Sequence, residues 1–192
     1  KHIRSFEDVL LDISERSTSS PMSPLVQERR MIEESLSDLR RQIRFCSEPA
    51  TKWNVRKSLN NGCKMLHFTG HGCPEHLVFE DGEAWRCGIA ENLNEEGLKE
   101  LFGATKPELV FLASCHSQIH GDTLANAGVP HVVAVDSNAE ISDEAARIFS
   151  RAFYHALIAP KHTVKDSFDI AVSTVNTKAP TAAATFRLLP SG

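Results

Sequence analysis

Apolar runs that stop abruptly at small polar residues recur along the chain, and two of these stops organise the rest. Met65, Leu66, His67 and Phe68 form the first run. Leu66 and Phe68 fall on one side and Met65 and His67 on the other, as in a strand covered on both faces. It ends at Thr69, Gly70, His71 and Gly72, where the glycines free the backbone around the histidine. The second run, 109–113, has the same grammar and ends in Ser114, Cys115, His116 and Ser117. Further runs at 8–13, 131–135 and 185–189 predict three more strands, and a shorter, more polar one at 42–46 predicts a strand near a sheet edge. Alternation over 76–80, followed by Asp81-Gly82, predicts a hairpin returning through Trp85, Arg86 and Cys87.

Between the strands the period becomes helical. Residues 14–23 read as a loop, and Ser23-Pro24 opens a helix whose face carries Leu25, Ile32, Leu36 and Leu39. Thr51 caps a helix running to Leu59, stopped by Asn61-Gly62, and Asn94 caps another through Phe102. Residues 122–127 predict a short helix ended by Gly128. Ala145, Ile148, Phe149, Ala152 and Ala156 then share a helical face, and Thr163 caps a helix whose face is Val164, Phe168, Ala171, Val172 and Val175. Strands alternating with helices predict an α/β sandwich of three layers around a mostly parallel sheet.

Composition narrows this picture. A chain of 192 residues with 41% hydrophobic content forms one domain, 1–192, with a sizeable core. A net charge of −4 gives no electrostatic footprint for nucleic acid or a membrane surface, and no apolar run reaches the length of a span. Five cysteines without a CxxC pair point to a reducing compartment, hence the cytoplasm. The chain opens on Lys1, which suggests a segment of a larger multidomain protein.

In an open parallel sheet, chemistry gathers outside the carboxyl ends of the strands. If the strands at 65–69 and 109–113 are neighbours, His71 and Cys115 meet there as base and nucleophile. A thiol is mostly protonated at neutral pH and needs such a partner. The two stand 44 residues apart (115 − 71), near the separation of about 50 for a caspase-type histidine and cysteine. A zinc site is the competing use of Cys63, His67, His71, Cys73 and His76, with His116 and His120 in a second cluster. Structural zinc wants tight paired spacings that are missing, so no metal or other cofactor is expected. His67, His131 and His155 read as packed, hydrogen-bonded histidines. Cys73 reads as an ordinary half-buried thiol, with a second reactive thiol or a redox partner for Cys115 as the alternatives.

Residues 66–72 and 113–117 resemble the two catalytic blocks of caspase-fold peptidases, and within that clan the CHAT domain, a relative of separase. Residues 127–137, 152–157 and 164–168 are also similar to CHAT modules, in particular to those preceding a nucleotide-binding ATPase in NLR-like proteins. The resemblance implies a caspase-like fold and a Cys115–His71 dyad. It also implies an oxyanion hole formed by the N–H groups of Gly72 and Cys115, and regulation by neighbouring modules of the parent protein. It implies a substrate pocket walled by the loops after the first strand, around the cysteine and after the next strand. Metacaspases place an aspartate two residues before the cysteine, where this chain has Ala113. Acidic residues of the following loop, Asp136 and Asp143, are therefore the candidate pocket residues, with Asp12 a weaker third.

The expectation is a cysteine endopeptidase acting on protein or peptide substrates in a regulated signalling setting such as cell death or immunity, with arginine or lysine favoured at P1. The alternative is a caspase-like scaffold domain without turnover.

Overall fold

The computed structural model describes residues 9–14, 24–37, 43–82 and 89–190. Its frame is a six-stranded sheet built from β1 (Val9–Ser14), β2 (Arg44–Pro49), β3 (Met65–Thr69), β7 (Leu109–Ala113), β8 (His131–Val135) and β9 (Phe186–Leu189). The order across the sheet is β2-β1-β3-β7-β8-β9, parallel throughout except for the antiparallel β9. Every side chain of β3 and β7 is buried, as two-sided apolar runs require. β3 and β7 are neighbours in register, Met65 opposite Leu109 and Thr69 opposite Ala113, so both strands end at one sheet edge.

One face of the sheet packs against α2 (Lys52–Asn60), α3 (Glu95–Leu101) and α4 (Gln118–Asn126) around Leu66, Phe68, Val110, Leu112 and Val132. The other packs against α1 (Pro24–Ser37), α5 (Asp143–Leu157) and α6 (Val164–Lys178), around an aromatic cluster of Phe111, Phe149, Phe153, Tyr154 and Phe186. The molecule is thus a three-layer α/β sandwich with a mixed, mostly parallel sheet, consistent with the caspase-like architecture. A second, antiparallel sheet of β4 (Gly72–Cys73), β5 (His76–Glu80) and β6 (Ala90–Leu93) hangs from the end of β3, held to it by the stacked rings of Phe68 and Phe79.

The expected caps form. The side chains of Thr51, Asn94 and Thr163 accept from Asn54, Gly97 and Asp166 N–H groups, and Asp166 returns a bond to Thr163 N. Other expectations need correction. β2 lies at Arg44–Pro49 rather than 42–46, because pairing with β1 sets its register and its own weak pattern does not. The return strand of the hairpin is β6; Trp85, Arg86 and Cys87 fall outside the described residues. α4 begins a full turn earlier than expected, and Gly128, at φ +99°, ends it. His155 is exposed on α5, whose buried face is centred on Phe149, Phe153 and Tyr154, with Ile148 and Ala152 at its margin. Ile32 is fully buried as expected; the side chains of Leu25 and Leu36, and residue Leu39, lie outside the description.

Candidate active site

Two turns at the carboxyl edge of β3 and β7 build the site. The first leaves β3 at Thr69, where Gly70 N–H donates to Ala113 O at 3.5 Å and so still follows β7. His71 comes next, exposed, its carbonyl accepting from Val78 N–H at 3.0 Å. Gly72 then packs its main chain directly on the second turn. A Cβ there would overlap Ser114 Oγ and lie 2.9 Å from the carbonyl oxygen of Cys115. No side chain fits, so the glycine is demanded by the close approach of two backbones. The His71–Gly72 segment and Cys115 are therefore held at one place by main-chain packing.

The second turn leaves β7 at Ser114, whose buried hydroxyl has no hydrogen-bond partner among the described residues. Cys115 follows, half-buried with a free thiol. His116 then adopts the left-handed conformation, φ +55°, which costs a non-glycine residue energy and needs outside support. The support comes from the loop after β8. His116 Nδ1 donates to Ser137 O at 2.8 Å, and His116 N–H donates to Ala139 O at 3.3 Å. Since Ser137 O can only accept, Nδ1 carries the proton.

Ser117, fully buried, determines how far the sheet opens. The β7–β8 ladder registers only from Leu109 opposite His131 to Phe111 opposite Val133. Beyond that the Ser117 hydroxyl bridges the strands, donating to Leu112 O at 3.2 Å and accepting from Val135 N–H at 3.0 Å. One hydroxyl thus stands where the next main-chain bonds would, and β7 and β8 diverge beside Cys115.

His120, on the first turn of α4, is fully buried and donates from Nε2 to the carbonyl of Cys73 at 2.9 Å. Burial holds its pKa below the ordinary imidazole value, against the raising effect of the Cys73 carbonyl and of the Glu95 charge. The ring is therefore neutral, with a bare Nδ1 buried behind it. It ties α4 to the residue following Gly72 and so fixes the first turn from beneath.

The three acids stand differently. Asp136 lies in the loop that holds His116. Its Oδ2 pairs with Arg187 of β9 at 2.5 Å and its Oδ1 accepts from Asn138 N–H at 2.8 Å. Asp143 is exposed at the start of α5, directly after the cap Ser142. Asp12 lies in β1, in register with His67 of β3, on the far side of β3 from β7. Among the described residues no group of three or more His, Cys, Asp or Glu is arranged to hold a metal ion. Cys63 is buried against Met65 O, and His67 packs under the opposite layer with Nδ1 2.9 Å from the Tyr154 hydroxyl.

The supporting residues Ser117, His120 and Arg187 were not singled out for these roles by sequence reasoning. Their bonds join residues far apart in the chain, and only His120 left a trace, four residues before Leu124 on the buried face of α4.

The sequence model of the CHAT domain matches residues 12–179, which contain both turns, the second half of β1 and every later described strand except β9. The chain belongs to the CHAT domain family. A relative named Roc-COR-CHAT protease, from Runella zeae, is 28% identical to this CHAT domain over 140 residues, covering 72% of the chain. The matched part is 14% of the relative's own length, so the chain spans a small part of that protein. Together the family and the protease-named relative support a caspase-like peptidase family for this CHAT domain. Among the described residues no helix is long and apolar enough to cross a membrane.

Proposed function

We propose that the chain is a cysteine endopeptidase with Cys115 as nucleophile and His71 as general base. One observation carries the reading: Gly72 has its main chain packed against Ser114 and Cys115 with no room for a Cβ, which brings the two turns to one edge. In this reading His71 takes the thiol proton, and the thiolate attacks the scissile carbonyl carbon. The N–H groups of Gly72 and Cys115 stabilise the resulting oxyanion, and His71 returns the proton to the leaving amine. Water, activated by the same histidine, then hydrolyses the thioester. Gly72 suits the oxyanion role because nothing projects between its N–H and an approaching carbonyl.

The P1 preference follows from the loop after β8. Asp136 sits beside the residues that hold His116 and already binds a guanidinium, that of Arg187. A P1 arginine or lysine would compete with Arg187 for this carboxylate, and Asp143 would add negative charge at the loop's far end. A positional-scanning peptide library is expected to favour Arg and Lys at P1, more strongly in Arg187→Ala and less so in Asp136→Ala. A Leu or Met preference that Asp136→Ala leaves unchanged would refute it.

The regulated setting belongs to the same proposal. The Runella relative carries Roc and COR in its name beside CHAT, and a parallel build here would put this peptidase under the control of neighbouring modules in the cytoplasm. Adduct mapping with a thiol-reactive peptide probe tests the central reading. Labelling is expected at Cys115 and should require His71. Labelling that ignores His71, or none at Cys115, would favour a scaffold domain without turnover.

A further inference from the structure

A groove of about 570 Å³ runs along α5, with Met31 of α1 on one wall and Thr174 of α6 on the other. Two stripes line its floor. Ile148 and Ala152, one turn apart and half-buried, make one of them apolar. Arg147, Arg151 and His155 follow at four-residue steps along the other, and Lys178 joins them from α6. Residues four apart on a helix share a face, so the three groups on α5 form a line about 12 Å long. The stems of the arginines and the lysine extend the apolar surface beneath their charges.

This line of charge is uncompensated. Other surface cations stand beside acids, as Lys52 does with Glu91, Lys64 with Glu108 and Lys165 with Asp169. Arg151, His155 and Lys178 have no hydrogen-bond or ion-pair partner among the described residues. Arg147 donates to Gln27 and to the main-chain oxygen of Asp143, neither of which cancels its charge. Three full cations therefore face a single lining carboxylate, Glu144, in a chain whose net charge is −4. Their spacing limits what can neutralise them. A compact anion needs cations that converge on a point, and these are strung out turn by turn. The elements bordering the groove are helices, whose main-chain groups are already bonded, so an extended strand has no edge to join.

We propose that the groove is the docking site of an acidic amphipathic helix from a protein partner, with Glu or Asp at four-residue steps beside an apolar stripe. The apolar stripe covers Ile148, Ala152 and Met31, and the carboxylates pair with Arg151, His155 and Lys178. Four residues rise by the same distance on both helices, so acids at that spacing meet the line of cations in step. The Glu144 end of the groove adjoins the loop whose Ser137 and Ala139 carbonyls hold His116, so the docked helix lies beside a support of the candidate site.

The test reads binding alone and does not depend on the peptidase reading. A bacterial-display library of random 15-residue peptides is selected on the whole chain, and the enriched peptides are titrated against the wild type and against the double variant Arg151→Glu/Lys178→Glu. Both positions are exposed, so an unchanged melting temperature is expected for the variant. Enriched sequences are expected to combine acids at four-residue steps with an apolar stripe, and to bind the variant at least about tenfold more weakly, because their acids then meet like charge. Circular dichroism should show them becoming helical on binding. Failure to enrich any peptide, enrichment of acidic sequences without the apolar stripe, or equal affinity for wild type and variant would each overturn the proposal.

Discussion

The two faces of the sheet are built from different materials. Beneath α5 and α6 the packing is aromatic. Phe149 stacks on Phe186 with ring centroids 3.8 Å apart and meets Phe111, Phe153 and Phe168, and the buried polar His67 is turned to Tyr154 and stacked on Phe111. Beneath α2, α3 and α4 the core is more aliphatic, and single polar bonds fasten short helices to loops. His120 holds Cys73 O, Thr123 donates to Glu95 at 3.0 Å, and Ser117 bridges β7 and β8. The aromatic face supplies bulk burial that no single position of a loop depends on. The polar face sets positions, because a hydrogen bond specifies distance and direction where apolar contact does not. Both turns of the site are fixed from this second face or from the loop after β8. Substitutions on the aromatic face should therefore cost stability, and those on the polar face activity.

The largest effect is expected at the site itself. Cys115→Ala and His71→Ala should each lower peptide cleavage by roughly 10⁴-fold or more, with melting temperature unchanged. Full turnover in Cys115→Ala together with loss in Cys73→Ala would reassign the nucleophile. Next comes Phe149→Ala, which empties a fully buried position in the aromatic stack. It should cost about 3–5 kcal/mol in denaturant unfolding, while the remaining folded molecules cleave at the normal rate. A variant that unfolds at the wild-type midpoint would show that the aromatic face is not the main source of stability.

Gly72→Ala should cross the division. Its Cβ meets Ser114 Oγ and the Cys115 carbonyl, and only the first can be relieved by a side-chain rotation. Cleavage should fall by about 10²-fold, the scale of one lost oxyanion donor, with a stability loss of about 1–3 kcal/mol. Activity that survives this substitution would remove the packing argument on which the site rests. The smallest effect concerns pH. His120 is held neutral in the fold, so the unfolded chain binds the extra proton below its ordinary value of 6.5. Its contribution to stability is complete above that pH and is lost as pH falls towards the depressed folded value. His120→Gln should therefore lose less melting temperature between pH 7.5 and 5.5 than the wild type does. It should also keep more activity than His120→Ala, because the amide can still donate to Cys73 O.

The parts legible from sequence are those decided locally. β3 and β7 are buried on both sides and end where the glycines and small polar residues say they end, and Thr51, Asn94 and Thr163 cap their helices through bonds three residues long. That placed both turns at one edge once the strands proved to be neighbours. What could not be read depends on partners distant in the chain. The direction of β9 is set by its approach through the short helical turn Pro180–Thr185, and the run 185–189 looks the same either way. The acidic loop offered Asp136 as a candidate pocket residue, but nothing near it in the chain points to its partner Arg187, 51 residues further on. The start of α4 was obscured because Ser117, Gln118 and His120 answer to tertiary partners rather than to an apolar period; all three make tertiary hydrogen bonds, to Val135, Ser137 and Cys73 in turn.

The contacts made by β9 also order events during synthesis. The loop that supports His116 takes two of its own bonds from the last described stretch of chain, Asp136 N–H to Thr185 O at 2.7 Å and Asp136 to Arg187. Those residues are translated some 70 positions after Cys115 (187 − 115 = 72). At roughly 5–20 residues per second, the ribosome needs about 4–14 s to cover that interval. A nascent chain therefore displays its histidine and its thiol for seconds before the loop beside them is secured. Because β9 is the last strand of the sheet in chain order, the loop beside the two turns is secured only after the other described strands have been made.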